Sequence, residues 1–90
     1  MDIKNSVWSF EGDYTFFQIP QYLEKLYALK IDQSITLDLS QIQNIDTSLL
    51  SFIFEIKRKA RLANQKVSLV KIPKNLVDLA TLYGVQKFLK

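Results

Sequence analysis

The sequence predicts an α/β fold. Three short runs rich in β-formers alternate with three stretches of helical periodicity, in the order β-α-β-α-β-α. At 90 residues, 48% hydrophobic and 23% charged, the chain has a globular composition and can bury a core of modest stability. It carries no linker, repeat or low-complexity segment, so residues 1–90 read as one domain. Strands connected through helices are expected to run parallel, with right-handed crossovers.

The elements follow in order. Ser6–Phe10, "SVWSF", alternates and reads as a strand. Glu11–Asp13, "EGD", reads as a turn. "YTFFQI" fits either a strand pairing back or the approach to a helix. Pro20 suits a first helical turn, and "PQYLEKLYALK" places apolar side chains at Tyr22, Leu23, Leu26, Tyr27 and Leu29. "IDQS" breaks that pattern. Ile35–Ser40 is a strand with Ile35, Leu37 and Leu39 on one face, closed by "QIQNID". The helix after Asp46 has one core stripe: Leu49, Phe52, Ile53, Ile56, Ala60 and Ala63. "ANQK" is a turn and Lys66–Val70 the third strand. "PKNLVDLATLY" is a helix with Leu76, Leu79, Ala80 and Tyr83 inward, stopped by Gly84. The tail "VQKFLK" is expected to fold Val85, Phe88 and Leu89 onto the core.

Composition removes whole classes of chemistry. With no Cys there is no disulfide framework and no thiolate nucleophile. With no His, the commonest general base and transition-metal ligand is missing. Two glycines, Gly12 and Gly84, make no phosphate-cradling loop. The carboxylates Asp13, Asp38, Asp46 and Asp78 are scattered. The expectation is a non-enzyme with no cofactor and no metal. "MDIKNSVWSF" lacks the apolar core of a signal peptide, and no run reaches membrane-spanning length. The net charge of +3 is concentrated at Lys57, Arg58, Lys59 and Arg61. This run reads first as a solvated helix face, its cations matching the helix C-terminus, and only weakly as a nucleic-acid patch. No helix-turn-helix or aromatic RNA-binding pattern accompanies it.

The stretch "NIDTSLLSFIFEIKRKAR" holds the one constellation that calls for a function. Asp46, Thr47 and Ser48 are helix-capping residue types. Beyond them, Thr47, Leu50, Ser51, Phe54 and Arg58 fall on one helical strip away from the core stripe. Apolar anchors, hydroxyls and a guanidinium in one strip have the makeup of a protein-binding hot spot. A neighbouring element covering Leu50 and Phe54 is the other reading of the same pattern.

The stretch from Ile35 to Leu89 resembles a STAS domain, the fold of bacterial anti-sigma factor antagonists. The pattern is a strand, "IDTS", a long helix, "ANQK", a strand, and "IPKNLVDLATLYGVQKFL". That ending is most similar to the MlaB-like group, the cytoplasmic STAS subunits of Mla phospholipid ABC transporters. Two features depart from the family. Leu49 stands where a small residue or Gly is usual, and little chain precedes "SVWSF" for the N-terminal hairpin.

The resemblance implies a STAS-like fold, a small mixed sheet flanked by three to four helices, and a protein-interaction function. In MlaB-like proteins the hydroxyl residue after the Asp, Thr47 here, lies at the contact with the transporter ATPase, an MlaF-like subunit. In anti-sigma factor antagonists the same position is a phosphorylation switch, so Thr47 or Ser48 would take the phosphate and the partner would be a kinase-type anti-sigma factor. Either way the expected partner is a protein, not nucleic acid, with no membrane insertion. The implied place is the cytoplasm, at the inner membrane only through a transporter complex.

Overall fold

In a computed structural model, whose described residues are 1–89, four strands form one mixed sheet in the order β1-β2-β3-β4. They are β1 (Asp2–Lys4), β2 (Val7–Tyr14), β3 (Ile35–Ile45) and β4 (Val67–Val70). Three helices alternate with them: α1 (Ile19–Ala28), α2 (Thr47–Leu62) and α3 (Lys74–Leu82), followed by a 3-10 turn at Gln86–Leu89. The chain is α/β, with a mixed sheet and helices as the sequence predicts. Lys90, the last residue of the expected tail, lies outside the described residues.

The strands joined through helices are parallel: Trp8 aligns with Leu37, and Leu37 with Leu69. β1 adds an antiparallel edge, with Asp2 opposite Ser9 and Lys4 opposite Val7. The turn between them holds Asn5 at φ 57°, a left-handed conformation that Asn tolerates better than most residues. The N-terminal hairpin is therefore present. Three residues with only Ile3 facing inward, opposite Trp8, are too short a run to show a period.

"EGD" is not a turn. β2 runs through it to Tyr14, and β3 continues to Ile45 to stay paired with it. Register shifts between Ser9 and Glu11 and between Gly12 and Tyr14 absorb the irregularity, with Gly12 at φ 84°. A glycine between acids resembles a turn in sequence, but here it is the bulge residue that lets the strand continue.

One sheet face carries the core. Trp8, Phe10, Ile35, Leu37 and Leu39 are buried, while Ser9, Thr36, Asp38, Ser68 and Val70 on the opposite face are partly or fully exposed. That alternation is the signature of a sheet covered on one side. At the end of β2, Tyr14 stacks on Phe10 at 4.8 Å and on Tyr22 of α1 at 4.7 Å, which fixes α1 against the sheet.

α2 and α3 both close in Schellman motifs. Gln65 N–H donates to the Ala60 carbonyl at 2.8 Å around Asn64 (φ 60°), and Val85 N–H to the Ala80 carbonyl at 2.9 Å around Gly84 (φ 69°).

The α2 stripe is buried as expected at Leu49, Phe52, Ile53, Ile56 and Ala60, with Ala63 packed against it. Leu50 joins them at 5% exposure, which takes it off the open strip. α2 contacts both α1 and β4, so its buried arc is wider than a single stripe. Three further residues expected inside are exposed. Tyr27 turns out to donate its hydroxyl to Glu55 at 3.2 Å. Tyr83 is the C-cap of α3, where the chain leaves the helix axis. Phe88 packs edge-on against Phe54 at 5.7 Å instead of entering the core.

Candidate protein-interaction site at the start of α2

α2 begins where β3 ends, and Asp46 is the joint. Its backbone is extended and its Oδ1 accepts the Ser48 N–H at 2.8 Å, an N-cap that satisfies one of the helix's open donors. Its Oδ2 accepts the Phe16 N–H at 2.9 Å, from the loop after β2. Burial alone would raise the Asp46 pKa. The N–H donors of Phe16 and Ser48, with the Ser48 hydroxyl, outweigh it and hold the carboxyl below its ordinary value. One ionised carboxylate thus ties two loops at the same end of the sheet. Beside it, Asn44 Nδ2 donates to Asp13 Oδ1 at 2.9 Å, a second tie between β2 and β3.

The loop carrying Phe16 is shaped by its own sequence. In "TFFQ", Thr15 N–H and Thr15 Oγ1 both donate to Gln18 Oε1, at 3.1 and 2.6 Å, and Phe17 N–H donates to Thr15 Oγ1 at 3.3 Å. Gln18 thus reaches back to Thr15 as in one half of a Thr-x-x-Gln capping box, in the turn ahead of α1, whose own N-cap, Gln18, has no side-chain cap bond. The two residues between Thr15 and Gln18 are left facing water: Phe16 is 66% and Phe17 81% exposed. Their rings meet edge to face at 5.2 Å.

The sequence-predicted site residues divide as follows. Asp46, Thr47 and Ser48 are together at the α2 N-terminus; Thr47 is exposed, while Ser48 is half-buried and bonded to Asp46. Ser51 is exposed one turn on. Phe54 is half-buried against Phe88, and Arg58 is exposed and paired with Glu55, its Nε 3.1 Å from Oε2. Leu50 is core. Leu49, the bulky residue where the family has a small one, is fully buried beneath the helix and so does not crowd the surface at Thr47. Phe16 and Phe17 were not among the predicted site residues, although the Thr-x-x-Gln spacing around them was a readable cap signal.

The basic run is largely occupied with the fold. Lys59 Nζ donates to the carbonyls of Leu26, at 2.5 Å, and Leu29 at the end of α1, and Lys57 Nζ donates to the Phe88 carbonyl. The arrangement at the α2 start offers exposed aromatics, hydroxyls and a helix N-terminus, which is equipment for binding a protein surface.

A family model described as "Mlab, STAS domain" matches residues 7–90. No curated protein matches the chain.

Proposed function

The chain belongs to the STAS domain family, in the group described as Mlab, and on that premise we propose that it is a non-enzymatic subunit that binds and regulates the ATPase of a phospholipid-transporting ABC system. The docking surface is the start of α2, with Thr47 and Ser51 at its centre and Phe54 and Arg58 further along. Phe16 and Phe17 extend it on the side of the preceding loop. One observation carries this reading: two adjacent, strongly exposed phenylalanines are held by Asp46 beside an exposed Thr47. Large solvated apolar side chains in a fixed loop mark an interaction site. The protein then sits on the cytoplasmic side of the transporter. No helix among the described residues is long and apolar enough to cross a membrane.

Thr47→Glu tests the reading. At a helix N-terminus a carboxylate suits the partial positive charge and leaves the fold intact. Closing an apolar-rimmed partner over it requires desolvating it, which costs several kcal/mol without a matching cation. The variant is expected to melt like wild type and to lose co-purification with the ATPase. A folded Thr47→Glu protein that co-purifies at full strength would move the interface elsewhere.

The second reading is an anti-sigma factor antagonist switched by phosphorylation. The exposure of Thr47 favours it, and favours Thr47 over Ser48, because a phosphate at Ser48 would face the Asp46 carboxylate. Incubation with a kinase-type anti-sigma factor and ATP, followed by mass spectrometry of the 46–48 segment, separates the two readings. A nucleic-acid role for residues 57–61 is the weakest, since Lys57 and Lys59 are engaged with backbone carbonyls.

A further inference from the structure

At the far end of the same helix strip, Phe54, Lys57, Arg58, Arg61 and Phe88 line an open pocket of about 220 Å³. Its walls are the edge-to-face pair Phe54–Phe88, 5.7 Å apart. Its surroundings are cationic: Arg61 is exposed at the end of α2, Lys57 and Arg58 line it, and the neighbouring Lys87 places its Nζ over the Phe88 ring, 5.3 Å from the centroid. Glu55, paired with Arg58, is the acid beside them. Burial lowers the Lys57 pKa from its ordinary value, and its Nζ donates to the Phe88 carbonyl, so this lysine helps to hold the Phe88 wall in place.

Volume and charge together select the occupant. Small-molecule sites enclose about 300–1,000 Å³ and bury most of their ligand. This pocket is smaller and open, a match for a single side chain and not for burying most of a small molecule. An apolar cleft rimmed by positive charge complements an apolar side chain flanked by carboxylates. We propose that the Phe54–Phe88 pocket receives an acidic segment of the protein partner, seating one apolar side chain against the ring pair and placing flanking Asp or Glu residues on Arg61 and Lys87. The proposal rests on the reading of the α2 start as the docking surface. It makes the dock two-pointed, with the Thr47 end as one contact and this pocket as the other.

The probe is a short fluorescein-labelled peptide of Glu and Gly with one central Leu, titrated into the full chain by anisotropy. Two control peptides carry Ala in place of the Leu, or Gln in place of every Glu. The Leu–Glu peptide is expected to bind, and both controls to bind at least about tenfold more weakly, the loss of a single contact of about 1.4 kcal/mol. The exposed double change Arg61→Glu/Lys87→Glu, confirmed folded by its melting curve, should weaken the Leu–Glu peptide by at least the same factor. Thr47→Glu should leave peptide binding unchanged. Equal affinity for the Leu and Ala peptides would reduce the site to unspecific charge and overturn the proposal. So would peptide binding that survives the charge reversal. Binding of phosphatidylglycerol–phosphatidylcholine vesicles through Arg61 and Lys87, with no peptide binding, would make the rim a lipid contact and equally overturn it. Failure of the ATPase reading shows separately, as undiminished co-purification of Thr47→Glu, and leaves the peptide titration unaffected.

Discussion

Asp46 illustrates how one side chain can shape both the fold and the candidate site. Its two oxygens cap α2 and hold the Phe16 amide, so the exposed aromatic pair is fixed by the same group that starts the helix. Asp46→Ala should therefore cost at least the ~0.5–2 kcal/mol of an ordinary N-cap, and more if the loop loosens. In a chain of this size each kcal/mol lowers Tm by roughly 4–8 °C. The folded pKa of Asp46 lies below its ordinary value of 3.8. The stabilisation is thus fully present above that value and is lost as pH falls through the depressed folded pKa. Denaturant melts of wild type and Asp46→Asn should differ fully at neutral pH and converge on acidification; a gap that persists into strong acid would show that the carboxylate's charge is not the source. Leu50 and Phe54 make a second residue-scale test. Leu50→Ala should cost about 2–5 kcal/mol as a core truncation. Phe54→Ala should cost clearly less, because its ring is only half-buried, at the edge of the core. Equal losses in thermal melts would place Phe54 in the core and take it off the docking surface.

At the scale of the element, α2 was legible along its core stripe and misleading along its basic run. The stripe is a local period, read from spacing alone. Leu50 broke the reading because burial beyond the stripe depends on which elements pack around the helix, and the contacts of α2 with α1 and β4 have no local signature. The lysines hid their role for the same reason: Lys59 reaches carbonyls 30 and 33 residues away in sequence. Two carbonyls at the C-terminal end of α1 carry the negative end of its dipole, and an ammonium there is well placed. Lys59→Met keeps the apolar stem and removes the charge, and should lower stability by about 1.5–3 kcal/mol. Arg61→Met, on the exposed face, should stay within roughly 0.5 kcal/mol of wild type. Chemical denaturation of both variants checks this; equal, negligible effects would return the whole run to a solvated face. The loop before α1 is the complementary case. "TFFQ" contained a cap signal that a reading by apolar period passes over, since its information lies in Thr15 and Gln18 and not in the phenylalanines between them.

For the whole molecule, the order of strands and helices, the parallel connections and the STAS fold were all carried by the sequence, chiefly by "IDTS" and the ending "IPKNLVDLATLYGVQKFL". The hairpin edge and the bulged continuation of β2 were not, because both depend on pairing with a distant strand and on the positive φ of Asn5 and Gly12. Half of the candidate site was legible for a related reason. Asp46, Thr47 and Ser51 lie on one helix, whereas Phe16 and Phe17 reach them only through a hydrogen bond spanning 30 residues. The sheet leaves one face open to solvent and gathers its exposed aromatic pair at the α2 end, so the molecule presents a directional surface to a partner. The most direct measurement of that claim is the affinity of a Phe16→Ser/Phe17→Ser variant for the ATPase proposed as its partner, by titration calorimetry, alongside its melting temperature. Both rings are solvated in the free protein, so Tm should hold at or above the wild-type value. Truncating even one hot-spot aromatic costs at least about 2 kcal/mol of binding, roughly thirtyfold in Kd, and the account predicts a loss of that size or greater. A folded double variant that binds the ATPase with wild-type affinity would contradict it.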